Sequence, residues 1–284
     1  NSTVVASGPG TATNNRKGQQ TTSTVTVPAG ANAIYITNTV AGGGGGLRGQ
    51  EHKDVGEQPG DGGGGGAGIT SAYFTVAAGE TLTFIVGHGG NDNTVSWSSE
   101  GGYTQNTNVT DGTGGTTSLS GSSTGNIFTL TGGTVGTSPN NGGAFKSLMQ
   151  DNPGTGGTVT FNTTPLSSGT TTAGDSVSSA SSSNGSDGAD GPAVGENQRG
   201  AGGAGGNSGL GSGSGAGSPA SGALLNGSDG TLGGGGGGGT AQNTPAITSI
   251  VSSDGDITFT GNSGSSLGGL GGHGQIQYQF VRVV

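Results

Sequence analysis

The amino-acid sequence predicts an all-β fold in which a small β-sheet or sandwich element is combined with a layered bundle of polyglycine II-type helices, with almost no α-helix. Two observations lead to this prediction. Glycine supplies 71 of the 284 residues and only 26% of the residues are hydrophobic, so a conventional apolar core can fill only part of the chain. The apolar residues that are present alternate with polar ones in short stretches, which is the pattern of half-buried β-strands.

Three glycine runs, at 42–46, 62–66 and 233–239, underlie the bundle prediction. Glycine loses more conformational freedom on ordering than any other residue, so an isolated run behaves as a flexible linker. Glycine also adopts the left-handed extended helix with three residues per turn, which has no internal hydrogen bonds. Copies packed side by side would satisfy one another's N–H and C=O groups. We assign this structural role to Gly42, Gly44, Gly46, Gly62, Gly64, Gly66, Gly233, Gly236 and Gly239.

Two stretches predict β-hairpins. In 23–36, alternating valines and alternating isoleucines flank a turn at Pro28-Ala29-Gly30, and 73–86 repeats this arrangement. Further strands are predicted at 127–130, 159–161, 247–251, 257–260 and 275–284, and the one helix candidate is 144–150. The Ser/Gly/Thr tract at 167–239 suits the outer faces of a glycine-helix bundle, and a flexible linker is the competing interpretation.

The chain divides into a polar N-terminal arm, 1–22, and a single glycine-rich domain with exposed connecting loops, 23–284. The arm is either a mobile terminus or an attachment arm that adds a strand to a neighbour. The candidate assembly residues are Val4 and Val5 in the arm and Ile276, Tyr278 and Phe280 in the last strand. Because the chain begins with Asn1 and shows no apolar signal core, we expect a processed product or a fragment.

Composition and charge exclude several classes of function. The formal net charge is -9 and the pI is about 4.4, so the sequence predicts no nucleic-acid binding. No run of about 18 apolar residues is present, so no membrane insertion is expected. The absence of cysteine excludes disulfides, thiolate catalysis and cysteine-based metal sites.

Part of the pattern resembles a known family. Thr26-Val27-Pro28-Ala29-Gly30, followed by an Ile-x-Ile strand and the glycine run 42–46, resembles the opening of the glycine-rich domain of bacteriophage tail fibre and tail-associated proteins. The stretch Ala-Gly-Glu-Thr-Leu-Thr-Phe-Ile-Val-Gly-His-Gly-Gly at 78–90 resembles the next element of that domain, and Gly271-Gly272-His273-Gly274 before the last strand resembles its end. The resemblance brackets residues 22–284.

In related adhesins at the tips of long tail fibres, such segments form a sandwich of polyglycine helices whose connecting loops bind host receptors. The resemblance therefore implies the same architecture here. It also implies a bacterial cell-surface receptor, protein or glycan, as a partner, other fibre subunits as neighbours, and an extracellular or virion-surface location.

No constellation of residues predicts catalysis. The three histidines, His52, His88 and His273, have no nucleophile or metal-ligand spacing, and we interpret the last two as exposed imidazoles in Gly-His-Gly turns. The Asp-Gly pairs beginning at Asp187 and Asp254 are interpreted as ordinary turns, with calcium binding as the alternative. We therefore expect a non-enzymatic protein with no cofactor and no metal.

Three loops are candidates for recognition. The segment 47–61 holds six of the 23 charged residues, counted as 7 Lys and Arg plus 16 Asp and Glu. A charged loop on a rigid scaffold often carries specificity, and a loop kept charged for solubility is the alternative. The loops 91–103 and 144–149 carry large side chains that either bind a partner or fill the small core. The candidate receptor-binding residues are Arg48, Glu51, His52, Lys53, Asp54, Trp97, Tyr103, Phe145 and Lys146.

Two functions follow from these observations. The preferred prediction is a surface structural or adhesive protein, a phage tail-fibre or fibre-tip component that binds a host receptor through its loops. The alternative is a secreted subunit of a self-assembling extracellular filament or coat, in which copies of the chain are joined by strand exchange at exposed sheet edges.

Overall fold

The structure of the protein is a computed structural model that describes residues 20–46, 50–52, 56–58, 61–91, 94–97, 103–106, 112–136, 153–166, 181–188, 203–210, 227–238, 250–253, 256–259 and 268–284. The described strands are β1 (Thr21–Thr26), β2 (Ala33–Val40), β3 (Gln50–His52), β4 (Gly56–Gln58), β5 (Gly68–Thr75), β6 (Thr81–Val86), β7 (Thr94–Trp97), β8 (Tyr103–Asn106), β9 (Thr117–Gly121), β10 (Gly125–Leu130), β11 (Val159–Phe161), β12 (Ser181–Ser183), β13 (Ile250–Ser253), β14 (Asp256–Phe259) and β15 (Gln275–Val281).

Two antiparallel sheets form the main body. One has five strands in the order β1-β6-β9-β10-β11, and the other has four in the order β12-β5-β2-β15. This confirms the prediction of an all-β fold with almost no helix. Among the described residues, no helix has the length and apolar character needed to cross a bilayer.

The two sheets pack face to face around an apolar core. Alternation along β2 directs Ile34 and Ile36 inward, where both are fully buried. The ring centroids of Phe74 on β5 and Phe128 on β10 are 5.6 Å apart. The ring of Phe84 on β6 stacks on Tyr278 of β15 at 4.5 Å. Each of these ring pairs joins the two sheets, so aromatic contacts add to the aliphatic packing that holds the sandwich together.

The two predicted hairpins are wrong. β1 pairs with β6, and β2 pairs with β5 and β15, so each turn connects one sheet to the other. The turn residues are as expected, with Gly30 at φ 89° and Gly79 at φ 83°. The two turns instead bond to each other, Val27 N donating to Glu80 O at 2.8 Å and Gly79 N to Val27 O at 2.9 Å. The same residues suit a hairpin and a crossing between sheets, so alternation alone does not distinguish these connections.

A buried carboxylate holds this end of the sandwich together. Glu80 Oε1 accepts hydrogen bonds from Ala77 N (2.7 Å) and Thr124 Oγ1 (2.7 Å), and Oε2 accepts from Ser123 N (3.1 Å) and Thr124 N (3.0 Å). Burial raises the pKa of the Glu80 carboxyl, but these hydrogen bonds together outweigh burial, so the pKa lies below its ordinary value. Glu80 thus ties the connection between β5 and β6 to the β9–β10 turn.

At the other end of the sandwich, the chain continues into segments that make no strand ladder. We call them together the glycine layer; its described segments are 41–46, 61–67, 87–90, 112–116, 131–136, 153–158, 184–188, 203–209, 227–230, 233–238 and 268–274. Eight of the nine sandwich strands, all except β1, run directly into or out of one of them. The sandwich strands therefore fix the positions of eight of these eleven segments, and 203–209, 227–230 and 233–238 adjoin no strand.

Hydrogen bonding in the glycine layer repeats every third residue. Along segment 41–46, successive amides donate to three different neighbouring segments in turn, and the cycle then repeats. The bonds are Ala41 N to Ala67 O (2.9 Å), Gly42 N to Gly115 O (3.0 Å), Gly43 N to Gly272 O (2.9 Å), Gly44 N to Gly64 O (2.8 Å), Gly45 N to Gly112 O (2.9 Å) and Gly46 N to Gly269 O (2.9 Å). A strand ladder instead alternates between two sides, so these segments are bonded in three directions rather than in one plane.

The glycine-rich runs lie where a segment has the most neighbours. Segment 41–46 is hydrogen-bonded to six described segments, namely 61–67, 87–90, 112–116, 131–136, 233–238 and 268–274. Segment 61–67 also has six, namely 41–46, 131–136, 153–158, 184–188, 203–209 and 233–238. Segment 233–238 is bonded to five. The two central segments are thus surrounded by the others.

The glycines of these runs are required for space. A Cβ at Gly64 would lie closer than 3.0 Å to the carbonyl of Thr155, and one at Gly236 would overlap Gly269 in the same way. The described glycines with positive φ are Gly30, Gly79, Gly125 and Gly233. Most glycines of the layer therefore have backbone angles that other residues adopt, and it is the contact between backbones that excludes a side chain.

At the rim of the layer, polar side chains replace the missing backbone neighbours. Thr134 N donates to Thr155 O (2.9 Å) while Thr155 N donates back to Thr134 Oγ1 (2.7 Å), and Thr131 and Thr158 repeat this exchange. The other rim acceptors are Asn184 Oδ1 for Val159 N, Ser186 Oγ for Asn207 N, Asp187 Oδ1 for Gly156 N and Asp229 Oδ1 for Leu270 N. These side chains satisfy amides that would otherwise have only water as partner.

Candidate recognition face

The end of the glycine layer away from the sandwich gathers most of the long chain connections. Five described segments run toward this distal face, ending at 46, 91, 136, 188 and 238, and after the connection that follows each of them the chain returns from it at 61, 112, 153, 203 and 268. The connections 47–60, 92–111, 137–152, 189–202 and 239–267 therefore all start and finish there. By contrast, the connections that start and finish at the sandwich end are three short ones, 27–32, 76–80 and 122–124, and one longer one, 162–180, while residues 211–226, between segments 203–209 and 227–230, are outside the described residues.

Each distal connection joins two segments that are hydrogen-bonded to each other. The joining bonds are Gly44 N to Gly64 O (2.8 Å), Gly115 N to His88 O (2.8 Å), Thr134 N to Thr155 O (2.9 Å), Ser186 N to Asn207 O (2.9 Å) and Gly269 N to Gly237 O (2.7 Å). The base of each connection is therefore held by backbone contacts inside the layer. This fixes the distance between its two ends.

Three of the distal connections contain a two-stranded antiparallel ribbon. β3 pairs with β4 in the first connection, β7 with β8 in the second and β13 with β14 in the last. In the second, Trp97 and Tyr103 are register partners. In the first, Glu51 is the partner of Glu57, and His52 of Gly56. The distal connections thus place the single tryptophan of the chain directly opposite a tyrosine.

The predicted receptor-binding residues fall into two groups. Glu51, His52, Trp97 and Tyr103 lie on these ribbons, whose side chains are outside the described part of the structure. Arg48, Lys53, Asp54, Phe145 and Lys146 lie outside the described residues altogether. The three loops chosen from the sequence correspond to the first three distal connections.

Sequence reasoning missed two of the distal connections, 189–202 and 239–267. In the second, the sequence predicts only strands, at 247–251 and 257–260, and the structure has β13 and β14 there with shifted ends. The signal that would have found both is a glycine-rich segment on each side of the connection, with a strand flanking the pair on one side, β12 before 184–188 and β15 after 268–274.

Two expectations about single residues are corrected. Asp61, counted with the charged loop 47–61, is only 3% exposed, because it is the first residue of a central segment. His88, expected to be an exposed turn imidazole, is 8% exposed because its segment is packed against 41–46, 112–116 and 268–274. Its Nδ1 lies 2.9 Å from Gly89 O.

No described group of three or more His, Asp and Glu side chains is arranged to hold a metal ion. The sequence indicates an ordinary Asp-Gly turn at Asp187, and in the structure its Oδ1 accepts a hydrogen bond from Gly156 N at 2.8 Å on the rim of the glycine layer. Asp254 lies outside the described residues.

The predicted assembly residues lie partly on an edge strand. β15 is an outer strand of its sheet, and Ile276 and Phe280 on it are buried in the core while Tyr278 is half-buried. β1, beginning at Thr21, is an outer strand of the other sheet. Val4 and Val5 lie outside the described residues, as does Gly239 of the third glycine run.

Comparison with protein-family models and with curated protein sequences gives no match for this chain.

Proposed function

We propose that the segments of the glycine layer are polyglycine II-type helices. The support is the three-residue period of their hydrogen bonds, which is the period of that helix, and the backbone contacts that leave no room for a Cβ. Bundled in this way, the helices form a scaffold with few internal degrees of freedom. Such a scaffold is suited to holding loops at fixed separations.

We further propose that the chain is a non-enzymatic adhesin of the virion surface, a phage tail-fibre or fibre-tip component. Its distal connections bind a receptor on the bacterial cell surface, a protein or a glycan. The observation that carries this proposal is that five long connections leave the same face of the layer. Five neighbouring loops on a rigid base resemble the arrangement by which other scaffolds present binding loops.

The chemistry of the connections adds to this support. The first carries a cluster of charged residues between 48 and 57, and the second carries the Trp97–Tyr103 register pair. Trp, Tyr and Arg supply most of the binding energy in typical interfaces. The rim of the layer, in contrast, carries mainly threonine, serine, asparagine and aspartate that bond to the layer itself.

The test is binding of the purified chain to a panel of whole bacteria. Replacing 47–60 by a Gly/Ser linker of equal length is expected to abolish or strongly reduce binding. The matched control replaces 167–180, which belongs to the connection at the opposite end, and is expected to bind like the parent. Circular dichroism checks that both variants fold. Binding to no strain, or equal binding by both variants, contradicts the adhesin proposal.

The second candidate function is a self-assembling extracellular filament or coat. The observation that favours it is that β1 and β15 are both outer strands, and that the Phe84–Tyr278 stack places β15 over β6, the neighbour of β1. Outer strands on the same side of the sandwich offer two edges for strand addition by another copy.

Deleting 1–19 separates the two candidates while keeping β1 intact. The filament proposal predicts that the parent forms filaments visible by electron microscopy and that the deletion variant stays monomeric. The adhesin proposal predicts that both are monomeric or small oligomers and that both bind bacteria.

A further inference from the structure

The two Gly-His-Gly stretches of the sequence are neighbours in the glycine layer. Gly274 N donates to Gly87 O at 2.9 Å, and Gly271 N donates to Gly90 O at 2.8 Å, so segments 87–90 and 268–274 run antiparallel and side by side. Between these two bonds, one glycine contacts both imidazoles. Gly89 O lies 2.9 Å from His88 Nδ1, and Gly89 N lies 3.2 Å from His273 Nδ1.

The two contacts require opposite roles of the two imidazoles. A carbonyl oxygen only accepts, so His88 Nδ1 carries a hydrogen and donates it. A backbone N–H only donates, so His273 Nδ1 carries a lone pair and its hydrogen is on Nε2. Protonating His88 leaves its bond in place. Protonating His273 puts two N–H groups against each other and removes the acceptor for Gly89.

We propose that this arrangement is an acid-sensitive latch, in which neutral His273 closes the seam between segments 87–90 and 268–274 and protonated His273 opens it. The closed seam binds one proton fewer than the open seam, so its stability is greatest at neutral pH and falls as the pH is lowered. An unperturbed histidine titrates near pH 6.5, which sets a mildly acidic range for the opening. The latch lies beyond receptor binding and does not depend on it.

In the part of the chain that the structure describes, few charged groups lie on the segments bonded to 268–274. The described segments hydrogen-bonded to 268–274 are 41–46, 87–90, 227–230 and 233–238. Their titratable side chains are those of His88 and Asp229. The carboxylate of Asp229 would attract a charged His273 and so oppose opening. Asp229 Oδ1 accepts from Leu270 N at 2.9 Å, which holds that carboxylate on the neighbouring segment.

The test is amide hydrogen exchange of the full chain by NMR between about pH 7.5 and pH 5. The exchange rates are first corrected for the pH dependence of intrinsic exchange. The protection factor of the Gly89 amide is then expected to fall about 30-fold between neutral pH and pH 5. This is the factor for one proton that binds only the open seam, at a histidine that titrates near pH 6.5. The protection of Gly44, whose amide is bonded to Gly64 O, is expected to stay constant. His273→Asn keeps an acceptor that does not titrate, so its Gly89 protection should not fall with pH.

His88→Asn is the matched control and should lose Gly89 protection in acid as the parent does. Asp229→Asn keeps the acceptor for Leu270 N and should increase the loss. The latch proposal is overturned if the Gly89 protection factor of the parent does not change with pH, or if the Gly44 protection factor falls in parallel. It is also overturned if the Gly89 protection factor of His273→Asn falls as much as that of the parent. If His273→Asn does not fold, the comparison of Gly89 with Gly44 in the parent decides the question.

Discussion

In the sandwich, each strand is hydrogen-bonded to at most two neighbours in one plane, and side chains such as Phe74 and Phe128 fill the space between planes. In the centre of the glycine layer, each segment is bonded to six neighbours, and backbone fills the space that side chains occupy elsewhere. Both regions bury their polar backbone groups with partners. The two regions differ in which substitutions destabilise them. The sandwich is destabilised when side-chain atoms are removed from its core, and the glycine layer is destabilised when side-chain atoms are added.

The largest effect is expected where a methyl group is added to a central segment. Gly64→Ala places a Cβ against the carbonyl of Thr155, which is itself fixed by the Thr134–Thr155 bonds. Relieving the overlap requires breaking several buried hydrogen bonds at about 1–3 kcal/mol each. We expect a loss of more than about 5 kcal/mol, enough to unfold a typical domain.

The control for Gly64→Ala is Gly30→Ala. Gly30 has φ 89°, and a Cβ there meets nothing within 4 Å. We expect a loss of about 1–2 kcal/mol from backbone strain alone. Urea unfolding measures both, and similar losses in the two variants would show that space is not what selects glycine at 64.

The next largest effect is expected from removing atoms in the sandwich. Phe74 is fully buried, and its ring lies near those of Phe128 and Phe161, at 5.6 and 5.8 Å. Phe74→Ala is expected to cost about 3–5 kcal/mol, because the remaining rings cannot fill the cavity. A loss below about 1 kcal/mol in urea unfolding would contradict the description of this core.

A smaller, pH-dependent effect is expected at Glu80. The folded state lowers the pKa of its carboxyl, so its contribution to stability is present above the ordinary pKa and is lost as the pH falls through the lower, folded value. Glu80→Gln keeps an oxygen acceptor, loses the charge, and should cost about 1–3 kcal/mol at neutral pH. The difference in melting temperature between Glu80→Gln and the parent should become smaller as the pH is lowered. A difference that does not change with pH would argue against a stabilising charge on Glu80.

The smallest effect is expected at the rim of the glycine layer. Thr131 Oγ1 accepts from Thr158 N at 2.7 Å in an exposed position. Thr131→Val keeps the shape and removes the acceptor, and since water can replace it we expect a loss of about 0.5–1.5 kcal/mol. Thr75→Val, on the exposed side of β5, serves as the control. Equal unfolding midpoints for the two variants would exclude a role of the rim hydroxyls.

The same comparison explains what the sequence predicts well. Strands with two buried alternating residues, such as Ile34 and Ile36 on β2, are found from the pattern. β9 is missed because Leu119 is its one large apolar residue. Strand pairing is not predicted because turns such as Pro28-Ala29-Gly30 serve hairpins and sheet crossings alike.

In the glycine layer, glycine content marks the segments at the centre but not their neighbours. Which segments touch depends on the sandwich strands that feed them, and this is fixed by contacts far apart in the chain, such as Gly44 with Gly64 and Gly43 with Gly272. The rim is also hard to predict. Its threonines are spaced by three residues only as the pairs 131/134 and 155/158, in a chain already rich in threonine. Of the candidate recognition face, the sequence predicts three of the connections but not that five share one end.

The central claim is that the interior of the glycine layer is held by backbone hydrogen bonds in three directions. NMR couplings across hydrogen bonds test it directly in the deuterated chain. The structure predicts couplings from Gly44 N to the carbonyl carbon of Gly64, and from Gly64 N to that of Thr134, comparable to those between β2 and β5 in the same spectrum. Couplings seen for the β2–β5 pair but absent for both glycine pairs would contradict it.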